Sequence, residues 1–222
     1  MIAAFAHVAR ENNIALIVDE TYRDFIISGP PHHLFSPTVF EQGWRSNFVH
    51  LYSFSKSYCI PGHRLGAIVA SPEVILPIMT ILDTMQICPP RAVQIALAPL
   101  LPTFRSFISD QARSIDRRHE LFRNLLPPRW KIGSQGGFFA YVKHPFKGVD
   151  ATEVSRRLAE EIGVVTLPAE FFCRAKVAHG SVTPGDDDMW IRFSVANVGD
   201  EEIRKVCERL AECEERLEFE VY

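Results

Sequence analysis

Leu51-Tyr52-Ser53-Phe54-Ser55-Lys56-Ser57-Tyr58-Cys59-Ile60-Pro61-Gly62-His63-Arg64-Leu65-Gly66 follows directly on the alternating run Phe48-Val49-His50. Together they read as a strand running into a polar tip. The chain leaves the tip through Pro61-Gly62 into a second apolar strand, residues 65–70. The tip carries the hydroxyls of Ser53 and Ser55, the amine of Lys56 and, farther on, the guanidinium of Arg64. A hydroxyl and a guanidinium suit a phosphate. A lysine at the end of a buried strand suits a Schiff base, because desolvation lowers its pKa and frees the amine. For Lys56 alone, the plainer alternative is an ordinary lysine at a surface strand end.

Two other positions carry chemistry. The unbroken apolar run Ile14-Ala15-Leu16-Ile17-Val18 looks like a strand buried on both faces of a parallel sheet, and it ends in Asp19-Glu20-Thr21-Tyr22. Open parallel sheets place ligands beyond the carboxyl ends of their strands, where Asp19 falls. A strand-end cap is the bland alternative. Arg192 stands inside the apolar strand Met189-Trp190-Ile191-Arg192-Phe193-Ser194-Val195. A charge there is costly unless paired, so the choices are an ion pair, an exposed edge or a ligand.

Composition bounds the rest. The 222 residues carry a net charge of −3, and the 23% charged residues are of both signs, which gives no electrostatic case for nucleic acid or an anionic membrane. Five scattered cysteines, none in a Cys-x-x-Cys pair, read as reduced thiols in a cytoplasmic protein. No targeting signal is expected, since the apolar opening of the chain is short and is broken by His7 and Arg10. The most apolar later run, residues 74–82, is broken by Pro77 and too short to span a bilayer. No metal site is expected: His32-His33 and Asp186-Asp187-Asp188 both read as solvated turns.

Around these motifs the chain alternates helix and strand. Residues 1–12 read as a helix with Ile2, Phe5 and Val8 or Ala9 on one face. Ser71-Pro72-Glu73 starts another. A long helix is expected over residues 103–126, striped by Phe104, Ile108, Ala112, Ile115, Phe122 and Leu125, with a solvated charged face. Pro127-Pro128 stops it, and the domain change is placed there, giving domains 1–128 and 129–222. Beyond it come a strand opened by Gly136-Gly137, a helix begun by Asp150 and Glu153 and closed by Gly163, a short strand to Leu167-Pro168, the Arg192 strand, and a last helix over residues 200–217.

The string Ser-x-Ser-Lys-x-x-x-x-Pro-Gly-x-Arg-x-Gly closely resembles the lysine motif of class I/II aminotransferases, the fold-type I enzymes that use pyridoxal 5'-phosphate (PLP). The Asp19–Tyr22 pair stands in the same relation to the lysine as the family's Asp-x-x-Tyr. The resemblance implies that Lys56 carries the cofactor as a Schiff base and that Ser53 and Arg64 hold its phosphate, with Ser55 a weaker phosphate ligand. It assigns Asp19 to the pyridine nitrogen, Tyr22 to the ring oxygen and Arg192 to the substrate α-carboxylate. The fold it implies is α/β. The chain supplies the second part of a PLP-binding large domain, with a mostly parallel sheet and helices, followed by a small C-terminal α/β domain. The implied reaction is amino-group transfer between an amino acid and a 2-oxo acid, by a parent protein that is commonly a homodimer. Related PLP chemistry on the same fold (β-lyase, decarboxylase or synthase) and a catalytically silent remnant are the alternatives.

The resemblance covers essentially all 222 residues, but only the C-terminal half or so of the family. Absent are the family's N-terminal arm, its phosphate-cradling glycine turn, the ring-stacking aromatic and the asparagine on the ring oxygen. The sequence is therefore expected to be a fragment, with little turnover by itself. It also departs locally. Pro168-Ala169 stands where the family has Pro-Gly, and Phe171-Phe172 where an aromatic–glycine pair is common.

Overall fold

A computed structural model describes residues 2–27, 35, 43–172 and 186–222. The expected loop with His32 and His33 lies outside them, as do Cys173 and the side chains of Asp186 and Asp187. The chain forms two compact units, Met1–Ala112 and Arg113–Tyr222.

In the first unit, helix α1 (Ile2–Glu11) is followed by strand β1 (Leu16–Asp19). Strand β2 (Phe48–Ser53) runs into the single helical turn α2 (Phe54–Ser57), and β3 (Gly66–Val69) returns. The sheet order is β1-β2-β3, parallel between β1 and β2 and antiparallel between β2 and β3. Ala6 and Phe48 form a buried cluster on which Ile2, Leu16, Val18 and Trp44 pack. The buried edge of α1 is thus Ala6 and Ala9; of the expected stripe Ile2 packs on the cluster and Ala9, the alternative to Val8, is buried, whereas Phe5 is exposed. The apolar run ending in Val18 also behaves otherwise than expected. Only alternate residues of β1 face the cluster, and Ile17 is 61% exposed. Among the described residues only one face of the strand is covered, so the period is two although the sequence is uniformly apolar.

Helix α3 (Pro72–Met85) starts where Ser71-Pro72-Glu73 places it and runs through Pro77, burying none of its residues. Helix α4 (Arg91–Leu97) continues through a 3-10 stretch, Ala98–Phe104, into α5 (Arg105–Leu125). This run, Arg91–Leu125, is long and apolar enough to cross a membrane by length and composition alone. Pro99 and Pro102 interrupt its middle, and the turns from Arg113 onward belong to the second unit.

The second unit is an antiparallel sheet of order β4-β5-β7-β6 with helices packed on it. Its strands are β4 (Lys131–Gly136), β5 (Phe139–Lys143), β6 (Leu167–Pro168) and β7 (Trp190–Ser194). Helix α6 (Ala151–Arg157) is capped by the Asp150 carboxylate, which accepts from the Glu153 N–H at 2.9 Å. A π-helical turn, Leu158–Ile162, extends it to Gly163, whose φ of 72° suits a residue without a Cβ. Helix α7 (Asp200–Arg216) follows β7. Ala140, Val142, Ile191 and Phe193 alternate along β5 and β7 and are buried, as are Val154 and Leu158 and the α7 stripe Ile203, Cys207, Leu210 and Cys213. From the end of α5, Phe122 joins this core against Phe193, with ring centroids 5.5 Å apart. His119 on the same helix meets the Gly137 carbonyl at 3.0 Å.

Candidate functional site

The sheet of the first unit collects most of the expected site residues at one end. Parallel pairing sets Asp19, the last residue of β1, opposite Leu51 on β2. Two residues later β2 ends in Ser53, which pairs with Gly66 on β3. Ser53 then caps α2, its hydroxyl oxygen accepting the Ser55 N–H at 3.3 Å. Lys56 sits half-buried on that turn, between buried Ser55 and buried Ser57. The chain returns through the turn Pro61–His63 to Arg64, held in the left-handed region at φ 52°. An arginine in that region is strained, and such positions concentrate at functional sites.

The donor set at this strand end suits a pyridoxal phosphate. Both hydrogen bonds from Thr21, from its N–H at 3.0 Å and its hydroxyl at 2.7 Å, fall on Oδ1 of Asp19. Oδ2 of this exposed carboxylate has no donor among the described residues, so it can accept a pyridinium proton. Arg64 spends one Nη1–H on the Pro61 carbonyl at 2.9 Å and has no carboxylate partner among the described residues. Its other donors can meet a phosphate. Tyr22 lies in the turn after β1, just ahead of the short helix Arg23–Phe25.

Beneath this end lies a polar network that the sequence did not announce. Glu20 is buried and accepts on the same oxygen from His50 at 2.9 Å and from Arg23 at 2.7 Å. It ties the end of β1 to the middle of β2. Farther along β2, the Tyr52 hydroxyl donates to Asp24 at 2.6 Å. Burial, then that carboxylate, push the Tyr52 pKa well up, so the phenol stays a neutral donor. The available signal was alternation. Glu20 follows Asp19 on the opposite strand face, the face that Phe48, His50 and Tyr52 share.

Arg192 lies in the second unit. Its strand is interior, with Tyr141 of β5 on one side and Leu167 of β6 on the other. Neither ordinary explanation for a charge in an apolar strand therefore applies, since β7 is not an edge and Arg192 has no ion-pair partner among the described residues. Its guanidinium carbon sits 4.1 Å from the ring centroid of Phe139 and 4.1 Å from that of Phe172. The departure at Pro168-Ala169 has a structural counterpart. Ala169 is buried at the start of a 3-10 turn, Ala169–Phe171, and the Phe172 N–H closes that turn on the Ala169 carbonyl at 2.8 Å. Ala169 is not among the residues with positive φ, so the turn does not require glycine there.

Comparison with known proteins bears on the whole chain. The family described as aminotransferase class I and II matches residues 2–210. An aspartate aminotransferase of Sulfurisphaera tokodaii is 27% identical over 95% of this chain and 51% of its own length. Among solved structures, an aromatic aminotransferase of Pyrococcus horikoshii superposes with a TM-score of 0.79 at 22% identity, over 97% of this chain and 55% of that one. LysN, the α-aminoadipate aminotransferase of Thermus thermophilus, solved with N-(5'-phosphopyridoxyl)-L-leucine, gives a TM-score of 0.78 at 22% identity, over 97% of this chain and 54% of that one. These structures share the fold, mixed α/β. The chain spans about half the length of the curated relatives it matches.

Proposed function

The chain belongs to the class I and II aminotransferase family, and on that premise we propose that in its complete form the protein transfers an amino group from an amino acid to a 2-oxo acid with pyridoxal phosphate as cofactor. The observation that carries this reading is the convergence at one sheet end of an amine (Lys56), a carboxylate with one oxygen that meets no donor among the described residues (Asp19), a capping hydroxyl (Ser53) and a guanidinium (Arg64).

When bound, the cofactor supplies an electron sink that acidifies the Cα–H of the amino acid. The rest is the work of the chain's own side chains. Asp19 holds the proton on the pyridine nitrogen through Oδ2. Ser53 and Arg64 hold the phosphate, with Ser55 assisting where its burial allows. Tyr22 donates to the ring oxygen. The amine of Lys56 takes the Cα proton and returns it to the acceptor carbon, acting in turn as base and acid. Arg192 takes the α-carboxylate on a planar pair of N–H donors and so orients the Cα–H bond.

Residues 1–128 are read as the later part of the cofactor domain and 129–222 as the small domain, with the turns from Arg113 onward packing in the second compact unit. A homodimer in the cytoplasm is the proposed setting, with neither nucleic acid nor membrane as partner. The apolar helical run does not argue for a membrane. Its later turns are anchored in the second unit by Ile115, His119 and Phe122, which a membrane-spanning helix would have to withdraw.

The test is covalent. Borohydride added to the protein in pyridoxal phosphate should fix the cofactor on the peptide that carries Lys56, and Lys56→Ala should abolish both this labelling and amino-group transfer by the complete protein. Label recovered on another lysine overturns the assignment.

A further inference from the structure

Arg192 presents a problem that its strand does not solve. A guanidinium on a long side chain needs something to hold it in one orientation, and here no carboxylate does so among the described residues. Two aromatic rings do. Contacts of this kind engage the charge without consuming an N–H donor, so all the hydrogen-bonding capacity of the fork stays available. One ring, Phe139, is set by the sheet: it lies on β5 two residues from Tyr141, the register partner of Arg192, and so on the same face. The other, Phe172, arrives from the turn after β6. It remains 48% exposed. The turn that delivers it is closed by its own N–H on buried Ala169.

We propose that Phe172 is a positioning residue, a loop-borne ring that orders the Arg192 guanidinium so that its N–H edge meets a carboxylate already aligned. The proposal rests on the reading of Arg192 as a carboxylate fork and deepens it. It makes recognition of the carboxylate depend on the turn Ala169–Phe171 as well as on the sheet. Pre-ordering removes the cost of freezing the side chain when ligand arrives, which is where the gain in affinity comes from.

The experiment follows the arginine Nε–H resonances of the full chain by NMR, with the Arg192 signal assigned by its disappearance in Arg192→Lys. In the wild-type chain that signal should be displaced by ring currents. Phe172→Ala should move it toward the position of solvated arginines, and Phe172→Tyr should keep it in place. Benzoate is then titrated as the carboxylate probe. Its apparent affinity should fall about three- to tenfold in Phe172→Ala and recover in Phe172→Tyr, the scale expected for loss of one aromatic contact and of pre-ordering. A wild-type response to benzoate that Phe172→Ala leaves unchanged overturns the positioning role alone. No benzoate response of the Arg192 signal in the wild-type chain overturns the carboxylate reading of Arg192, and the positioning role falls with it. Because Phe172 is half-exposed, its replacement leaves the core intact.

Discussion

The two units differ in what holds them together. The second is built as a domain should be: β5 and β7 bury Ala140, Val142, Ile191 and Phe193, while α6, the π-helical turn after it and α7 present Val154, Leu158, Ile203 and Leu210, all at 5% exposure or less. The first holds Lys56, Asp19, Ser53 and Arg64, the residues proposed to meet the cofactor, yet its buried cluster centres on Ala6 and Phe48. Helix α3 buries nothing, and Leu76, Met79 and Met85 are 60% exposed or more. What ties the reactive end of the first unit is polar: Glu20 to His50 and Arg23, and Tyr52 to Asp24. A stable core can thus be far from the reactive residues in sequence, and a reactive sheet end can be fixed by register and hydrogen bonds. An apolar face as extensive as that of α3 is stable in water only beneath another layer of protein.

The largest expected effect sets a core truncation against its exposed counterpart. Leu210→Ala removes a fully buried side chain and should cost about 2–5 kcal/mol. Leu76→Ala, at a position 65% exposed, should stay within about 0.5 kcal/mol. Because the chain has two units, one melting curve is a poor measure, and amide hydrogen exchange resolves them. Leu210→Ala should accelerate exchange in β5 and β7 by roughly two orders of magnitude or more, while β2 is unaffected. Equal acceleration in β2 would show one cooperative body and dissolve the comparison.

A smaller effect belongs to His144, 1% exposed in the second unit. Its Nδ1 accepts the Phe146 N–H at 3.2 Å, and burial, with Lys143 adding to it against Asp150, lowers its pKa from 6.5 to about 4. The unfolded chain therefore binds a proton first. The stabilisation is complete above about pH 6.5 and is lost as pH falls to about 4, up to about 3 kcal/mol. Exchange in β5 measured between pH 7 and 4, corrected for the intrinsic rate, should show this loss in the wild-type chain. The slope should flatten in His144→Gln. A slope that survives the substitution belongs to other groups.

How much was legible follows the same division. Most elements of the second unit were readable from a local signature: the Asp150 cap, the stop at Gly163, the apolar run of β7 and the stripe of α7. Strand β4 was not, because Lys131–Gly136 is mostly polar and glycine-rich, and Gly136, expected to open a strand, ends this one. Lys56, Ser53 and Arg64 stood out as candidates because a fixed string carries them, and the structure sets that string at one sheet end with Asp19. Burial in the first unit was not readable. A uniformly apolar strand says nothing about which face is covered, and the small residue Ala6 outranks Phe5 in the helix interface. Glu20 and His50 escaped notice because they are far apart in sequence and only the β1–β2 register brings them together. The pairing of Phe172 with Arg192 escaped for the same reason, since it needs a turn conformation that no periodicity encodes.

The smallest expected effect tests whether the polar tie beneath the reactive end does for the first unit what Leu210 does for the second. Glu20→Gln preserves size and one acceptor oxygen but removes the charge that faces His50 and Arg23. Hydrogen bonds to charged groups contribute about 1.5–3 kcal/mol, but the Arg23 side chain is 29% exposed and solvent screens its share. The expected loss is therefore about 1–2 kcal/mol, confined to the first unit. The tie spans the pair Val18↔His50 and its neighbour Asp19↔Leu51. Exchange of the β1 amides should quicken about tenfold, while β5 and β7 remain unchanged. Borohydride fixation of pyridoxal phosphate on Lys56 should become slower or less selective, because Asp19 and the lysine turn no longer hold one register. Unchanged exchange in β1 would mean that backbone pairing alone fixes that register, and the polar network would then have no part in ordering the site.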